Sequence, residues 1–329
     1  MLLHFDPRSD IPRPDLDLDF RRGSPLDTRI TFTRNGLLTY LGPDGLLKTA
    51  AVNEPAFNYN PARNRYELQV WEQRANLLLN SETLSTQTVG VSAVQYTLSF
   101  SGAGTIVLSG THSATVVGAG DYPAKQTLTF TPTAGSLVLT VFGTVKYANL
   151  EAGAFATPWI PTPGTTATRG ADVISMTGAA FSDWYRQDEW TAAVEFSAQG
   201  SNAFARAITM LGAGGTSVDE INMFILPSTG KAICSNTFTG GVSAGRVESA
   251  DSYVLGKNTK AVLRIKSGER ILAANGGILV TSNAAFTIPA LTSMLIGSTS
   301  DGGVLNGGIA RIRYWRKALP IGQLQRLSV

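Results

Sequence analysis

The sequence predicts an all-β protein of several domains. Three observations carry that expectation. Short runs rich in Thr, Val, Leu and Ile recur along the 329 residues. Within them, apolar residues alternate with small polar ones, as in a strand with one buried face. Glycine and proline, 34 and 15 in number, punctuate the runs at sandwich-like spacing. Hydrophobic residues make up 43% of the chain and charged ones only 16%, which suffices for ordinary cores. The length suits two or three domains.

Composition also excludes several classes. No stretch approaches the roughly 20 apolar residues of a membrane-spanning helix, so no membrane insertion is expected. His4, Asp6, Arg8 and Asp10 interrupt the N-terminus before any apolar core, so no signal peptide is expected. There are 27 basic and 24 acidic residues, without a clustered basic helix, which argues against a nucleic-acid partner. Cys234 stands alone, so neither an intrachain disulfide nor a cysteine metal site can form. It is expected as a small buried hydrophobe, in a chain made in a reducing cytoplasm. No cofactor and no metal are implied.

Residues 1–15 read as an extended arm, because Pro7, Pro12 and Pro14 forbid regular structure. From Asp15 to Phe20 acidic and apolar residues alternate strictly, placing three carboxylates on one face. That face is either a cation site or an edge strand guarded by like charge. Residues 16–82 form the next module. Strands are expected at Ile30–Arg34, Leu38–Leu41 and Arg65–Val70, with Gly42-Pro-Asp-Gly45 as a turn.

Residues 83–160 form a low-charge β-sandwich, with strands over Tyr96–Phe100, Thr105–Ser109, Gln126–Phe130 and Ser136–Thr140, and a last strand running through Val145 and Tyr147. Residues 161–172 have linker composition. Residues 173–329 form a third domain. Its strands are expected at Thr191–Phe196, Ala207–Leu211, Asn222–Leu226, Ala261–Ile265, Arg270–Ala274, Ile278–Thr281 and Leu295–Gly297. In Ile309–Trp315, Ala310, Ile312 and Tyr314 take one face and Arg311 and Arg313 the other. Ile321, Leu324 and Leu327 then have helical spacing.

The closing order — a strand ending in Ile296-Gly297, a Leu305-Asn-Gly turn, a strand with an aromatic pair, and a short Leu-bearing helix — resembles that of laminin-G-like, concanavalin-like jelly rolls. A second resemblance covers residues from about 16 onward. Its marks are Phe32-Thr-Arg34, the Gly-Pro-Asp-Gly hairpin, Asn53, Pro55, Phe57, Tyr59, Asn60 and Pro61 in sequence, and Glu72-Gln-Arg-Ala-Asn-Leu-Leu-Leu-Asn-Ser-Glu82. Ala148-Asn-Leu-Glu-Ala-Gly153 followed by Ala156-Thr-Pro-Trp-Ile-Pro161 continues it, an ending that also resembles that of carbohydrate-binding sandwiches, and Thr168, Arg169, Ala171, Asp172 and Ser175 carry it further. The pattern is similar to that of tailed-phage virion proteins of the head-spike and tail-fibre class. Trp71 departs from it, where a smaller or aliphatic residue is usual.

The chemistry available is narrow. His4 and His112 are the two histidines, and neither lies near a nucleophile elbow, so a serine–histidine triad and a histidine metal site are not expected. Glycoside hydrolysis needs two carboxylates flanking a bond. Asp183, Asp188, Glu189, Glu195, Asp219, Glu220, Asp251 and Asp301 are available, but none forms a spaced pair on one strand that resembles the Glu-x-Asp-x-Glu of concanavalin-like glycosidases. No catalytic residue is assigned. Sugar binding needs apolar ring faces beside planar polar groups. Trp184, Tyr185 and Trp190 offer such faces, or else close the end of the sandwich. Asp301 and Asn306 occupy a loop rim where laminin-G-like domains make ligand contacts, or are plain turn residues. Arg311 and Arg313, with Arg316 and Lys317, make a basic edge that either meets acidic polysaccharide or is a solvated strand face.

The resemblance implies a structural, non-enzymatic virion spike or fibre, surface-located, with no signal peptide. It implies an N-terminal arm docked on other virion proteins, sandwiches that bind host capsule or lipopolysaccharide, and homo-oligomerisation, a trimer being favoured. A polysaccharide depolymerase and a ligand-free decoration spike are the alternatives.

Overall fold

Alternating sequence becomes strand throughout this protein, and the two α-helices among the described residues, Ala179–Ser182 and Ile321–Leu327, are short. The computed structural model describes residues 10–23, 25–200, 204–226, 232–300 and 302–329, with the backbone alone at Ala232 and Asp251. His4 and most of the expected arm lie outside these residues. The fold is all-β, of several sheets arranged as sandwiches. The chain divides into two compact units. One is Phe32–Asp172. The other is assembled from residues before 32, Val173–Ala198 and the chain from 204 on.

In the unit Phe32–Asp172, one sheet runs in the order Ala114–Val117, Thr105–Gly110, Gly135–Phe142, Gln87–Val91, and a second in the order Gln126–Phe130, Tyr96–Ser101, Lys146–Ala152. Alternation points Leu98, Phe100, Ile106, Leu108, Leu137, Leu139 and Leu150 into one shared core. The Gly-Pro-Asp-Gly segment joins hairpin strands Leu38–Leu41 and Leu47–Ala50. Its Gly45 has φ +76°, which glycine adopts without strain.

The sequence motifs of this unit meet in one buried polar network. Arg34 pairs with Asp172 at 3.0 Å, both side chains fully buried. The other Asp172 oxygen accepts the Trp71 backbone N–H at 2.7 Å. Arg169 donates to the carbonyl of Glu72 at 3.0 Å and to the Thr157 hydroxyl at 3.3 Å, and burial pushes its guanidinium down to about 10. Glu151 accepts the Thr157 N–H at 2.8 Å and its hydroxyl at 2.7 Å. The Asn76 amide donates to the carbonyls of Ala148 and Ile160, each at 2.9 Å. Residues 161–172, of linker composition, are woven into the unit rather than spanning a gap. Ala167–Arg169 pairs with Arg74–Asn76 as a strand, and Thr162, Arg169 and Asp172 are buried.

In the other unit, one sheet carries Val280–Ser282, Glu269–Ala274, Thr259–Lys266, Glu189–Ala198 and Gly307–Trp315 in that order, and Leu16–Asp19 pairs along Gly307–Trp315. The second carries Val173–Thr177, Leu291–Ile296, Ala205–Gly212, Glu220–Ile225, Ala232–Thr239 and Val242–Ser252. Phe196, Ile208, Met210, Met223, Leu263, Met294 and Ile312 are among its buried residues. Helix Ile321–Leu327 buries Leu324 and Leu327, whereas Ile321, expected on the same face, is exposed at the first turn.

Residues 16–31, grouped in sequence with the segment up to 82, belong with this unit because Leu16 and Leu18 are buried beside Gly307–Trp315. Residues 10–15 are tied down here as well. Trp315 Nε1 donates to Pro12 O at 2.7 Å, and Asp10 pairs with Arg326 at 2.5 Å.

Cys234 is buried with Phe224 and Leu226, as expected of a lone cysteine. Burial pushes its thiol up to about 12. The native protein is therefore expected to resist a thiol reagent at pH 8 and to react stoichiometrically once unfolded in urea. Fast labelling of the folded chain would contradict this placement.

Candidate functional site

The aromatic residues expected to receive sugar are core. Trp184 and Trp190 are 2% and 1% exposed. Together with Phe181, Tyr185 and Tyr314 they form one aromatic cluster. The Trp184 and Tyr314 rings lie 4.8 Å apart at 72°, and Trp190 lies 5.7 Å from Tyr314. The Trp184 indole N–H is spent on Ala180 O at 2.7 Å. Tyr185 is half-buried, stacked on Phe181 at 4.7 Å, with its hydroxyl on Gln187 at 3.1 Å. Removing apolar ring area from water outweighs leaving it open for a ligand.

Asn306 is likewise buried. Its φ of +54° places it in the left-handed region that asparagine tolerates, so it serves the turn. Asp301 lies outside the described residues.

The basic edge and the acidic stripe meet through Arg311. Arg311 forms a fork on Asp17 at 2.7 and 2.5 Å, with Asp19 at 3.8 Å. Asp19 in turn binds Arg21, which is the main cause holding the Asp19 carboxyl below its usual range. The Arg316 backbone N–H donates to Asp15 at 2.8 Å, and its Nε to Trp184 O at 3.1 Å. Arg313 lies over Trp315, 5.5 Å from the ring centre, and burial pushes it down to about 10. The stripe is thus a paired strand that takes up Arg311, while Arg316 and Lys317 stay exposed at the edge. His112 stacks on Phe130 at 4.5 Å.

A different place combines the required chemistry. On the second sheet of the C-terminal unit, Glu220, Asn222 and Phe224 share one face of Glu220–Ile225 by alternation. Asn236 and Phe238 share the corresponding face of Ala232–Thr239, with Glu220 directly opposite Phe238. A register shift in Ala205–Gly212, between Arg206 and Ile208, sets Arg206 opposite Phe224.

Together with Phe204, Ser217, Val218 and Gly241, these strands line a cleft of about 340 Å³, which is the size of a small-ligand site. The Arg206 guanidinium lies 5.3 Å from the Phe204 ring centre and 4.9 Å from that of Phe224. It faces Glu220 at 3.7 Å, with both side chains nearly buried. The Asn222 amide donates to Glu220, while Phe204 is 42% exposed. The cleft thus offers apolar ring surface above a floor of planar donors and acceptors in which Arg206 faces Glu220. Loop residue Gly303 backs it closely: a Cβ there would stand 2.7 Å from Phe204 O.

No protein-family model matches the chain, and no curated protein does. Solved structures resemble it in part. The CBM40 of a Ruminococcus gnavus IT-sialidase, bound to alpha2,3 sialyllactose, is 16% identical over 43% of this chain and 83% of that one, with a TM-score of 0.37. NanB sialidase from Streptococcus pneumoniae is 16% identical over 47% of this chain and 26% of that one, with a TM-score of 0.40. A native heptameric SAP-like pentraxin from Limulus polyphemus is 13% identical over 44% and 70%, with a TM-score of 0.35.

Glu220 was singled out in sequence as one of several carboxylates, but Phe204, Arg206, Asn236 and Phe238 were not. The usable signal was the alternation in Glu220-Ile-Asn-Met-Phe-Ile225, where charge, amide and ring fall on one face and three aliphatic side chains on the other.

Proposed function

We propose that this chain binds host-surface glycan, in the setting of a tailed-phage or phage-derived particle to which its sequence motifs point. It acts there as a non-enzymatic spike or fibre component, surface-located and homo-oligomeric. The single observation that carries the binding reading is the cleft lined by Phe204, Arg206, Glu220, Asn236 and Phe238. Sugar C–H faces stack on the Phe204 and Phe238 rings. Ring hydroxyls hydrogen-bond to the Asn236 amide, to Arg206 and to Glu220, groups of the kind that fix sugar orientation.

Because Arg206 and Glu220 balance in charge, the cleft suits neutral sugar units, and binding is expected to change little between low and physiological salt. Among the described residues Glu220 is the one carboxylate lining the cleft, whereas cleavage requires two flanking the bond. Repetition of a weak site over many copies on a particle supplies the net hold.

The test is attachment of the purified protein to encapsulated bacterial cells before and after their capsule or lipopolysaccharide is stripped. Loss of attachment on stripping is expected. Attachment that survives stripping points to a protein receptor, and no attachment at all favours a ligand-free decoration spike.

A further inference from the structure

A second cleft, in the unit Phe32–Asp172, is built from different elements. It has a volume of about 460 Å³ and is lined by Asn80, Glu82, Thr83, Trp159, Pro161 and Pro163 among others. Its floor is rigid. Ser81 and Thr162 are buried and share a 2.6 Å hydroxyl hydrogen bond. The Trp159 indole N–H donates to Ser81 Oγ at 3.0 Å, and the Asn80 backbone N–H to Thr162 O at 2.7 Å.

Trp159 is 8% exposed and lines the cleft with the small part of its ring left open, its N–H being used in this way. Beside it stands Tyr147, with ring centres 5.0 Å apart, and Tyr122 follows at 5.8 Å. Tyr147 has φ +51°, a conformation that a bulky residue holds only when its surroundings impose it. Here a register break between Lys146 and Asn149 and the hydrogen bond from Tyr147 N to Glu82 O at 3.1 Å hold it in place. Backbone strain thus holds the Tyr147 ring against Trp159, and the rim of the cleft, Asn80, Glu82 and Thr83, is exposed and polar.

We infer that this cleft is a second saccharide-binding site, for a neutral or amino sugar unit whose apolar face meets Trp159, Pro161 and Pro163 and whose hydroxyls or ammonium meet Asn80 and Glu82. The Glu82 carboxylate accepts hydrogen bonds from hydroxyls and repels an acidic sugar, which sets the ligand class. Walls of ring and proline carbon with a few polar groups at one edge are the composition of a small-ligand site. The clefts share no residue, so this inference stands or falls separately from the proposed function.

The test uses the full chain carrying Phe238→Ala, which silences the other cleft. It is titrated with methyl β-glucoside, methyl β-galactoside, methyl α-mannoside, N-acetylglucosamine and glucosamine while the indole N–H resonance of Trp159 is followed by NMR. At least one of these is expected to shift that resonance saturably. Adding Asn80→Gly and Glu82→Gln, which leave the backbone and the buried floor in place, is expected to weaken the effect about tenfold or more. Failure of every sugar to move Trp159, or shifts that persist unchanged in the rim variants, would overturn the inference.

Discussion

Replacing Asp172 with alanine is expected to destabilise the unit Phe32–Asp172 by about 3–5 kcal/mol, because breaking a buried ion pair leaves its partner charge uncompensated. Arg34 and Asp172 have no side-chain exposure and meet at 3.0 Å, so the stranded guanidinium has no water to turn to. The Trp71 backbone N–H, which donates to the same carboxylate, is orphaned as well. Asp172→Asn keeps an acceptor for that N–H while removing the charge, so it is expected to fall between wild type and alanine. Replacing both charged partners by apolar residues, as in Arg34→Met with Asp172→Leu, is expected to recover part of the loss. Urea unfolding read through the fluorescence of Trp71 and Trp159 checks all three. A midpoint for Asp172→Ala equal to that of wild type would contradict the network.

Trp190→Ala is expected to cost the C-terminal unit about 3–5 kcal/mol, the range for deleting a large aromatic side chain from a core. For a unit of this size that amounts to a melting temperature lower by about 10 °C. Trp190 is 1% exposed beside Tyr314, so little relaxation can fill the space. The conservative Trp190→Phe is expected to keep sugar binding with a smaller loss of stability. If Trp190 were a binding platform, the alanine variant would keep its melting temperature and lose its ligand. Calorimetry and a sugar titration on the same samples distinguish the two roles.

Much of the fold was legible because the strands that carry the cores alternate strongly. Leu38–Leu41, Arg65–Val70 and Gln126–Phe130 have the bounds read from sequence. Ala232–Thr239 and Val242–Ser252 were missed. They are rich in Ser, Thr and Gly, and their inward face includes the buried hydroxyls of Ser235 and Thr237, so alternation of apolar with polar residues is blurred. Missing these strands hid Asn236 and Phe238, and with them the cleft. Trp184, Trp190 and Arg311 drew attention by residue type, but type does not report what a side chain meets across the sheet. The three carboxylates from Asp15 and the arginines of 311–316 were each legible as a stripe. Their pairing is a contact between residues about 300 apart in the chain, and no local pattern encodes it. The motif residues Arg34, Asn76, Glu151, Arg169 and Asp172 were noticed for their order, and the structure gives that order a physical content as one buried hydrogen-bonded framework.

The central claim is that the cleft on the second sheet of the C-terminal unit receives sugar. A glycan array probed in parallel with wild type, Asn236→Ala and Phe238→Ala tests it most directly, since both side chains are only half-buried and their removal is expected to leave the fold intact. The account predicts wild-type signal on glycans presenting neutral units, reduced by about tenfold or more in each variant at unchanged melting temperature. Signal of wild-type strength in both variants, or no signal on any glycan, would contradict it.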